Sequence, residues 1–204
     1  MIITVMNDKG GVAKTTTAIH LAAFLATQDT TVLVDSDAIR SASKWHQRGD
    51  GKGLPFDVIG YAQLPAYMMK NKPKYVVIDT EGNLGDASFK EAAAGSQLLI
   101  IPAVPETVAT DGLITTIKKL KALNHNKFKV LLTMVPARPQ ARGEQLRADL
   151  LEQNIPLFNA QIPRLSAFEK AAEKGIRVCD VKSNKNAQRA WDAYVAAGKE
   201  IING

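Results

Sequence analysis

The sequence contains a single cysteine, Cys179, few aromatic residues and no long apolar run. One cysteine excludes an internal disulfide and a thiolate metal cluster, and it indicates a reducing compartment. The longest apolar run, at 98–104, has the length of a strand and contains a proline, so we expect no membrane-spanning helix. The opening residues lack the basic region of a secretory signal. Together these absences predict a cytoplasmic protein.

The overall composition is that of a globular protein. Of 204 residues, 46% are hydrophobic and 23% are charged, which excludes a disordered or collagen-like chain. This length predicts one domain, spanning residues 1–204. The 26 Lys and Arg residues outnumber the 20 Asp and Glu residues, giving a net charge of +6. Such an excess is compatible with a polyanionic partner without requiring one.

Short β-rich runs alternate with helical patterns along the chain. The predicted strands are Ile2–Met6, Thr31–Asp35, Phe56–Ile59, Tyr75–Asp79, Leu98–Pro102 and Lys129–Val135. The predicted helices lie near 14–27, 41–48, 63–70, 86–95, 107–123, 142–153 and 186–202. Strands this apolar are typical of a parallel sheet that helices cover on both faces. We therefore expect a doubly wound, mostly parallel α/β fold that binds ligands beyond the carboxyl ends of its strands.

The end of the first strand has the composition of a phosphate-binding loop. The predicted binding residues are Gly10, Gly11, Val12, Ala13, Lys14, Thr15 and Thr16. Two glycines let the backbone approach an anion closely, and the following helix directs free N–H groups at it. Lys14 is expected to reach the β- and γ-phosphates of a nucleotide, and Thr15 to ligate Mg²⁺. The strict pattern fails because Asp8 and Ala13 occupy its glycine positions.

Carboxylates end two further strands. Asp35 and Asp37 are two residues apart, so in an extended chain they point the same way. We expect Asp35 near the Mg²⁺ shell and Asp37 near the γ-phosphate, where a carboxylate can orient the attacking water. Asp79 ends an apolar strand, a position at which an aspartate typically holds Mg²⁺ through a water. A solvated aspartate pair in a turn is the alternative for the first two.

The motifs KGGVAKT, DSD and VVIDT resemble those of the ParA/MinD family of deviant Walker A ATPases. The resemblance implies a P-loop NTPase fold and a homodimer that forms with ATP and Mg²⁺. It implies that Lys9 reaches the ATP of the partner subunit and neutralises phosphate charge, and that Asp37 is the hydrolysis residue. It also implies that Pro136 and Pro163 lie beside the adenine base, although rigid prolines in surface loops are an equal alternative.

This resemblance is incomplete at two positions. Family members usually have Pro-Gln after the second aspartate, where this chain has Ala38 and Ile39. Many also have a proline after Asp-Thr, where this chain has Glu81. A protein that binds nucleotide without hydrolysing it is therefore an open alternative.

A basic segment follows the motifs. Its basic residues are Arg164, Lys170, Lys174, Arg177, Lys182, Lys185 and Arg189. They outnumber its three acids, and no aromatic interleaving or recognition-helix pattern accompanies them. This favours sequence-independent binding to the phosphates of duplex DNA, with a solvated face as the alternative.

The resemblance also implies a biological role. We expect a nucleoid-associated ATPase whose slow hydrolysis is stimulated by a ParB-like partner, and which partitions a plasmid or chromosome or positions another large cargo. Two alternatives remain. A MinD-like protein would bind membrane through a C-terminal amphipathic helix, but the tail lacks the basic and bulky apolar faces of such anchors. A metabolic enzyme with a phosphate loop would not need Lys9.

Overall fold

The computed structural model describes residues 1–136 and 141–203. The strands are β1 (Ile2–Val5), β2 (Thr31–Asp35), β3 (Asp57–Gly60), β4 (Tyr75–Asp79), β5 (Leu98–Ala103), β6 (Phe128–Val135) and β7 (Leu157–Pro163). The helices are α1 (Lys14–Leu25), α2 (Ser41–Arg48), α3 (Leu64–Asn71), α4 (Asp86–Gly95), α5 (Thr107–Ala122), α6 (Ala141–Glu152), α7 (Ser166–Lys174) and α8 (Ala187–Asn203). Two short 3₁₀ helices, Tyr61–Gln63 and Val178–Asp180, complete these elements.

The strands form one seven-stranded sheet in the order β3-β2-β4-β1-β5-β6-β7. All neighbouring strands are parallel. Strand β1 therefore lies between β4 and β5, and the last residues of β2 and β4, Asp35 and Asp79, are register partners. The predicted doubly wound parallel fold is confirmed, and its topology brings three motif-bearing strand ends together.

Alternate residues of the sheet face two separate apolar layers. Ile3, Val5 and Ile100 are buried in a core with α1, α2, α7 and α8. Leu99 and Ile101 face the opposite side and pack with α4, α5 and α6. Because both faces are covered, the central strands are apolar throughout, which is why the sequence shows little polar alternation.

Strand β7 and helix α7 lie in a part of the chain for which the sequence predicts neither a strand nor a helix. Strand β7 is an edge strand that pairs only with β6. It alternates buried Phe158 and Ile162 with exposed Asn159 and Gln161. This polar alternation, typical of a half-covered edge, hides the strand from a search for continuous apolar runs.

Helix α8 packs into the core. Tyr194, Ala197 and Ile201 are buried, and Gly198 lies so close to the Phe24 ring that an added Cβ would be 2.1 Å from it. The apolar face of this helix is thus covered by α1 and β7. Within the described residues, no helix is both long and apolar enough to cross a membrane.

Candidate functional site

The loop between β1 and α1 is anchored to two other strands of the sheet, β5 and β6. Asn7 donates from Nδ2 to the Pro102 carbonyl at 2.8 Å and accepts the Lys9 N–H at 2.9 Å. Thr133 Oγ1 donates to the Val12 carbonyl at 3.1 Å. The loop conformation is therefore set before any ligand binds.

The middle of the loop is open. A Cβ added at Gly10 or Gly11 would meet nothing within 4 Å, and Gly11 adopts a φ of +74° that side chains disfavour. Ala13 also lies in the left-handed region, at φ 66°, and no side chain caps the helix that begins at Lys14. The first backbone N–H groups of α1 therefore remain available to an anion, as the sequence predicts.

Lys14 is buried at the base of this loop. Its Nζ donates to the Lys9 carbonyl at 2.8 Å. Burial lowers the pKa of the Lys14 ammonium, and the nearby carboxylates Asp79, Asp37 and Asp8 oppose that shift. A desolvated ammonium at the base of a loop with exposed backbone N–H groups is well placed to receive phosphate oxygens.

Gly82 covers the loop from the end of β4. A Cβ at this position would lie 3.3 Å from both the Gly10 nitrogen and Lys14 Nζ. A side chain at this position would therefore crowd the phosphate cradle. The sequence does not predict this contact, since Glu81 and Gly82 stand out there only as a departure from the family pattern.

The carboxylate of Asp79 is completely buried. Neither of its carboxylate oxygens has a hydrogen-bond partner among the described residues. Burial raises the pKa of Asp79 to about 7; the nearby Thr15 hydroxyl and Lys14 lower it, and Asp35 and Asp37 raise it further. Thr15 thus lies close enough to favour the charged form without forming a hydrogen bond of normal geometry. An orphaned carboxylate beside a threonine hydroxyl fits a hydrated Mg²⁺ ion.

Asp35 is engaged within the protein. Its Oδ2 accepts the backbone N–H of Ser43 at 2.8 Å and the Ser43 hydroxyl at 2.5 Å, which anchors the first turn of α2. Its Oδ1 accepts the Asp37 N–H at 3.1 Å. Arg40 lies 3.8 Å from the same carboxylate. Asp35 therefore holds the turn that carries Asp37, and its predicted place in the Mg²⁺ shell stays a prediction.

Asp37 begins a tight turn into α2. Its carboxylate accepts the Ile39 N–H at 2.8 Å and the Ser41 hydroxyl at 3.4 Å. It is also near enough to Lys14 and Asp79 to influence the pKa of each. A carboxylate has further lone pairs beyond these two contacts. The sequence-predicted residues Lys14, Thr15, Asp37 and Asp79 are thus brought together.

Lys9 is half-buried at the rim of the loop. Its backbone is fixed on both sides, because its N–H binds Asn7 and its carbonyl binds Lys14. Within residues 1–136 and 141–203, its ammonium has no carboxylate partner. The side chain is therefore available for an anion.

A cavity of about 360 Å³ adjoins the loop. Gly11 and Thr16 form its loop side, and Met134, Pro163 and Phe168 provide apolar walls. Pro163 lies where the sequence predicts a base neighbour, whereas Pro136 is not among the described residues that line the cavity. Phe168 has no motif to mark it, because its place depends on how α7 packs.

The basic segment falls into two parts. Arg164 lines the cavity and lies 3.5 Å from Glu106, and Arg177 binds Asp180 through two hydrogen bonds of 2.7 and 2.9 Å. Of the other basic residues, Lys174, Lys182, Lys185 and Arg189 are exposed, and Lys170 is half-buried. Helix α7, the 3₁₀ helix at 178–180 and α8 contact one another, so these side chains belong to one region of the surface.

The parallel sheet, the loop after β1 and the carboxylates at the ends of β2 and β4 define a phosphate-loop nucleotide-binding protein. Residues 3–178 match the family described as the CobQ/CobB/MinD/ParA nucleotide binding domain, and the chain belongs to this family. A curated relative, maintenance of carboxysome distribution protein A of Gloeobacter kilaueensis, is 32% identical over 203 residues, which cover 98% of this chain and 93% of that protein.

Solved structures of the family share the fold. The MinD of the Aquifex aeolicus MinC:MinD cell division complex superposes with a TM-score of 0.79 at 15% identity, covering 100% of this chain and 96% of that one. A Cyanothece McdA–ATP complex gives a TM-score of 0.73 at 16% identity, covering 99% and 96% of the two chains. The chain is therefore a ParA/MinD-family nucleotide-binding protein. The ParA and MinD members of this family are ATPases.

Proposed function

We propose that this protein is a ParA-type ATPase that closes into a dimer around ATP, binds duplex DNA without sequence preference and positions a large cargo. One observation carries the proposal. A phosphate cradle holds the buried ammonium of Lys14 and the buried carboxylate of Asp79 at its base and Lys9 at its rim, and among the described residues Asp79 has no hydrogen-bond partner and Lys9 no carboxylate partner. A phosphate loop that served only to bind nucleotide would not need the rim lysine.

ATP binding follows from the cradle and the adjoining cavity. The N–H groups of the loop and of the start of α1 receive phosphate oxygens, and Lys14 contributes a desolvated positive charge. The base occupies the 360 Å³ cavity, against Pro163 and Phe168. Thr15 and Asp79 would hold Mg²⁺, which when bound neutralises charge on the β- and γ-phosphates.

The rim lysine supports an active dimer. Two subunits close face to face, and the Lys9 ammonium of each approaches the ATP of the other. There it neutralises the charge that develops on the phosphates, a role that an arginine finger plays in other NTPases. Because each site is completed by the other copy, hydrolysis depends on dimer formation.

Asp37 orients the water that attacks the γ-phosphate. The water oxygen bonds to the γ-phosphorus, the bond to the bridging oxygen breaks, ADP leaves with that oxygen, and a proton of the water passes to an oxygen of the phosphate released. Asp35 holds Asp37 in place through the Asp37 N–H. Since Asp37 is also tied to Ile39 and Ser41 in its own turn, we expect slow basal hydrolysis that a ParB-like partner protein accelerates.

The exposed basic residues of α7, α8 and the segment between them support DNA binding. In a dimer two such regions act together, which adds phosphate contacts without any base readout. The Gloeobacter relative acts in carboxysome distribution, as its name states, and this favours a large protein assembly over a plasmid as the cargo. The covered apolar face of α8 argues against a membrane-binding tail.

The dimer mechanism is tested with two variants. Lys9→Ala is expected to abolish ATP-dependent dimerisation in light scattering, and Asp37→Ala is expected to dimerise but not to hydrolyse ATP. A Lys9→Ala protein that dimerises as the wild type does would refute the trans lysine. Wild-type hydrolysis by Asp37→Ala would refute the water-orienting role.

A cosedimentation assay separates the positioning classes. The protein is spun with duplex DNA or with anionic lipid vesicles, each with ATP, ADP or no nucleotide. We expect ATP-dependent sedimentation with DNA that weakens as salt rises, and none with vesicles. Sedimentation with vesicles alone would indicate a MinD-like protein, and DNA binding that ignores both ATP and salt would contradict the dimer surface.

A further inference from the structure

Asp8 places a carboxylate directly before the rim lysine, and the proposed function gives it no role. Its side chain is only 9% exposed and its Oδ2 lies 2.9 Å from Lys119 Nζ on α5. Its backbone N–H donates to Thr116 Oγ1 at 3.2 Å, on the same helix. Helix α5 therefore holds both the side chain and the backbone of Asp8.

Lys119 is itself fixed from several sides. Its ammonium lies 3.6 Å from Asp86 at the start of α4 and 5.3 Å from the centre of the Phe89 ring. Its hydrogen bond to Asp8 is the main cause of its raised pKa. A cation held in this way stays charged and keeps the Asp8 carboxylate turned toward α5.

Gly112, one turn before Thr116 on α5, lets the helix approach the rim lysine. A Cβ at this position would lie 2.7 Å from Lys9 Cβ and 3.4 Å from Asn7 Oδ1. Glycine weakens the interior of a helix, and Gly112 lies inside α5. The close approach to Lys9 is the contact that only glycine permits here.

An uncompensated Asp8 would act against ATP. Its charge already influences the Lys14 ammonium at the base of the loop. A carboxylate this close to a polyphosphate repels it, and the repulsion is strong where water is partly excluded. The Lys119 ammonium cancels that charge at its source.

We propose that Gly112, Thr116 and Lys119 form a positioning surface on α5 that aims Lys9 toward the partner subunit and neutralises Asp8. This proposal rests on the proposed trans role of Lys9. The three residues contact the loop, so they are positioning residues. Gly112 and Lys119 are expected to act on different steps, because Gly112 sets the direction of Lys9 and Lys119 sets the charge at the loop.

Gly112→Ala tests the first part. Alanine favours the helix, which offsets part of the cost of the close contact with Lys9 Cβ, so the melting temperature and the binding of a fluorescent ATP analogue to the monomer should change far less than dimerisation does. Displacement of Lys9 should lower ATP-dependent dimerisation and kcat by on the order of 10–100-fold, with KM changing little. Gly95→Ala is the matched control, because it adds a methyl group to open space at the end of another helix.

Lys119→Gln tests the second part. It should weaken affinity for the ATP analogue by about tenfold at low salt and by less as salt rises. The double variant Asp8→Asn, Lys119→Gln should recover wild-type affinity, because both charges are gone. Lys121→Gln removes an equal charge from an exposed position of α5 and should leave affinity unchanged.

The outcomes separate this proposal from the one on which it rests. If Lys9→Ala dimerises normally, the trans lysine is wrong and the positioning surface falls with it. If Lys9→Ala fails to dimerise while Gly112→Ala behaves as the wild type, only the role of Gly112 is wrong. A double variant as weak as Lys119→Gln alone would overturn charge cancellation, because the fault would then lie in the structure of α5.

Discussion

The backbone N–H of Val178 donates to Nε2 of His20 at 3.0 Å, which joins α1 to the 3₁₀ helix between α7 and α8. The other ring nitrogen, Nδ1, lies 2.7 Å from the Thr16 carbonyl. The two contacts fix a neutral ring that donates from Nδ1 and accepts at Nε2. The ring also stacks on Tyr194, with centroids 5.0 Å apart. His20 thus connects α1, α8 and the 3₁₀ helix at 178–180.

Acid should destabilise the protein through His20. Burial lowers the pKa of His20 to about 4, with Arg177 lowering it further and the Thr16 carbonyl raising it. Below about pH 6.5 His20 takes up a proton in the unfolded chain but stays neutral in the folded protein, so stability falls as the pH drops from about 6.5 to 4. The loss should reach about 3 kcal/mol by pH 4 in urea unfolding.

Two variants isolate this effect. His20→Gln should be less stable at pH 8, because the ring contacts are lost, but its stability should vary less between pH 6.5 and 4. His125→Gln, at a position outside the core, should keep the wild-type pH profile. Equal pH profiles for His20→Gln and the wild type would show that other groups cause the acid sensitivity.

Asp79→Asn should stabilise the protein in the absence of nucleotide and metal. Removing a carboxylate that is buried and has no hydrogen-bond partner among the described residues relieves a charge that burial disfavours, and we expect a gain of roughly 1–3 kcal/mol in the free energy of unfolding. Binding of Mg²⁺ with ATP, followed by calorimetry, should be lost in the same variant. Asp111→Asn, at an exposed position, is the control for stability. A destabilised Asp79→Asn protein that still requires Mg²⁺ would contradict the assignment.

Ala13→Gly should also raise stability. Ala13 lies at φ 66°, where a Cβ costs about 1–2 kcal/mol. Glycine removes this cost, but it also raises the entropy of the unfolded chain, which offsets part of the gain in stability. The expected net gain is about 0.5–1 kcal/mol in denaturant unfolding. Ala26→Gly, at φ −64° beyond the other end of the same helix, should instead lower stability. Equal effects at both positions would show that backbone strain at Ala13 is absent.

Arg164 and Lys185 should separate nucleotide binding from DNA binding. Arg164 lines the cavity beside the loop, so Arg164→Ala should weaken ATP binding and should affect DNA binding only through that loss. Lys185 is exposed, so Lys185→Ala should leave ATP affinity unchanged and reduce the slope of log affinity for DNA against log salt by about 1 per subunit. Nucleotide titration and fluorescence anisotropy with a DNA duplex measure the two affinities. If Arg164→Ala instead reduced the salt slope of DNA binding and left ATP affinity unchanged, Arg164 would belong to the DNA-binding surface.

The sequence predicts which motif residues lie at the strand ends because each motif is local. A strand, two glycines, a lysine and a helix lie within a short stretch, and their backbone geometry follows from that order. Asp35 and Asp79 end apolar strands, so a parallel fold brings Asp79 near Lys14 whatever the surrounding loops do. Strand β7 is missed for the opposite reason, since its polar alternation becomes meaningful only as the edge of a sheet that is already formed.

By itself, the sequence determines that this chain has a phosphate loop with a second lysine and carboxylates at two further strand ends of a parallel sheet. Only the tertiary structure decides that Asp8 binds Lys119, that Gly112 abuts Lys9 and that Phe168 lines the cavity. Each of these contacts joins residues that are far apart in the chain. Periodicity and spacing do not predict which helix packs over which loop. In the proposed function, that packing orients Lys9 and sets the charge around it.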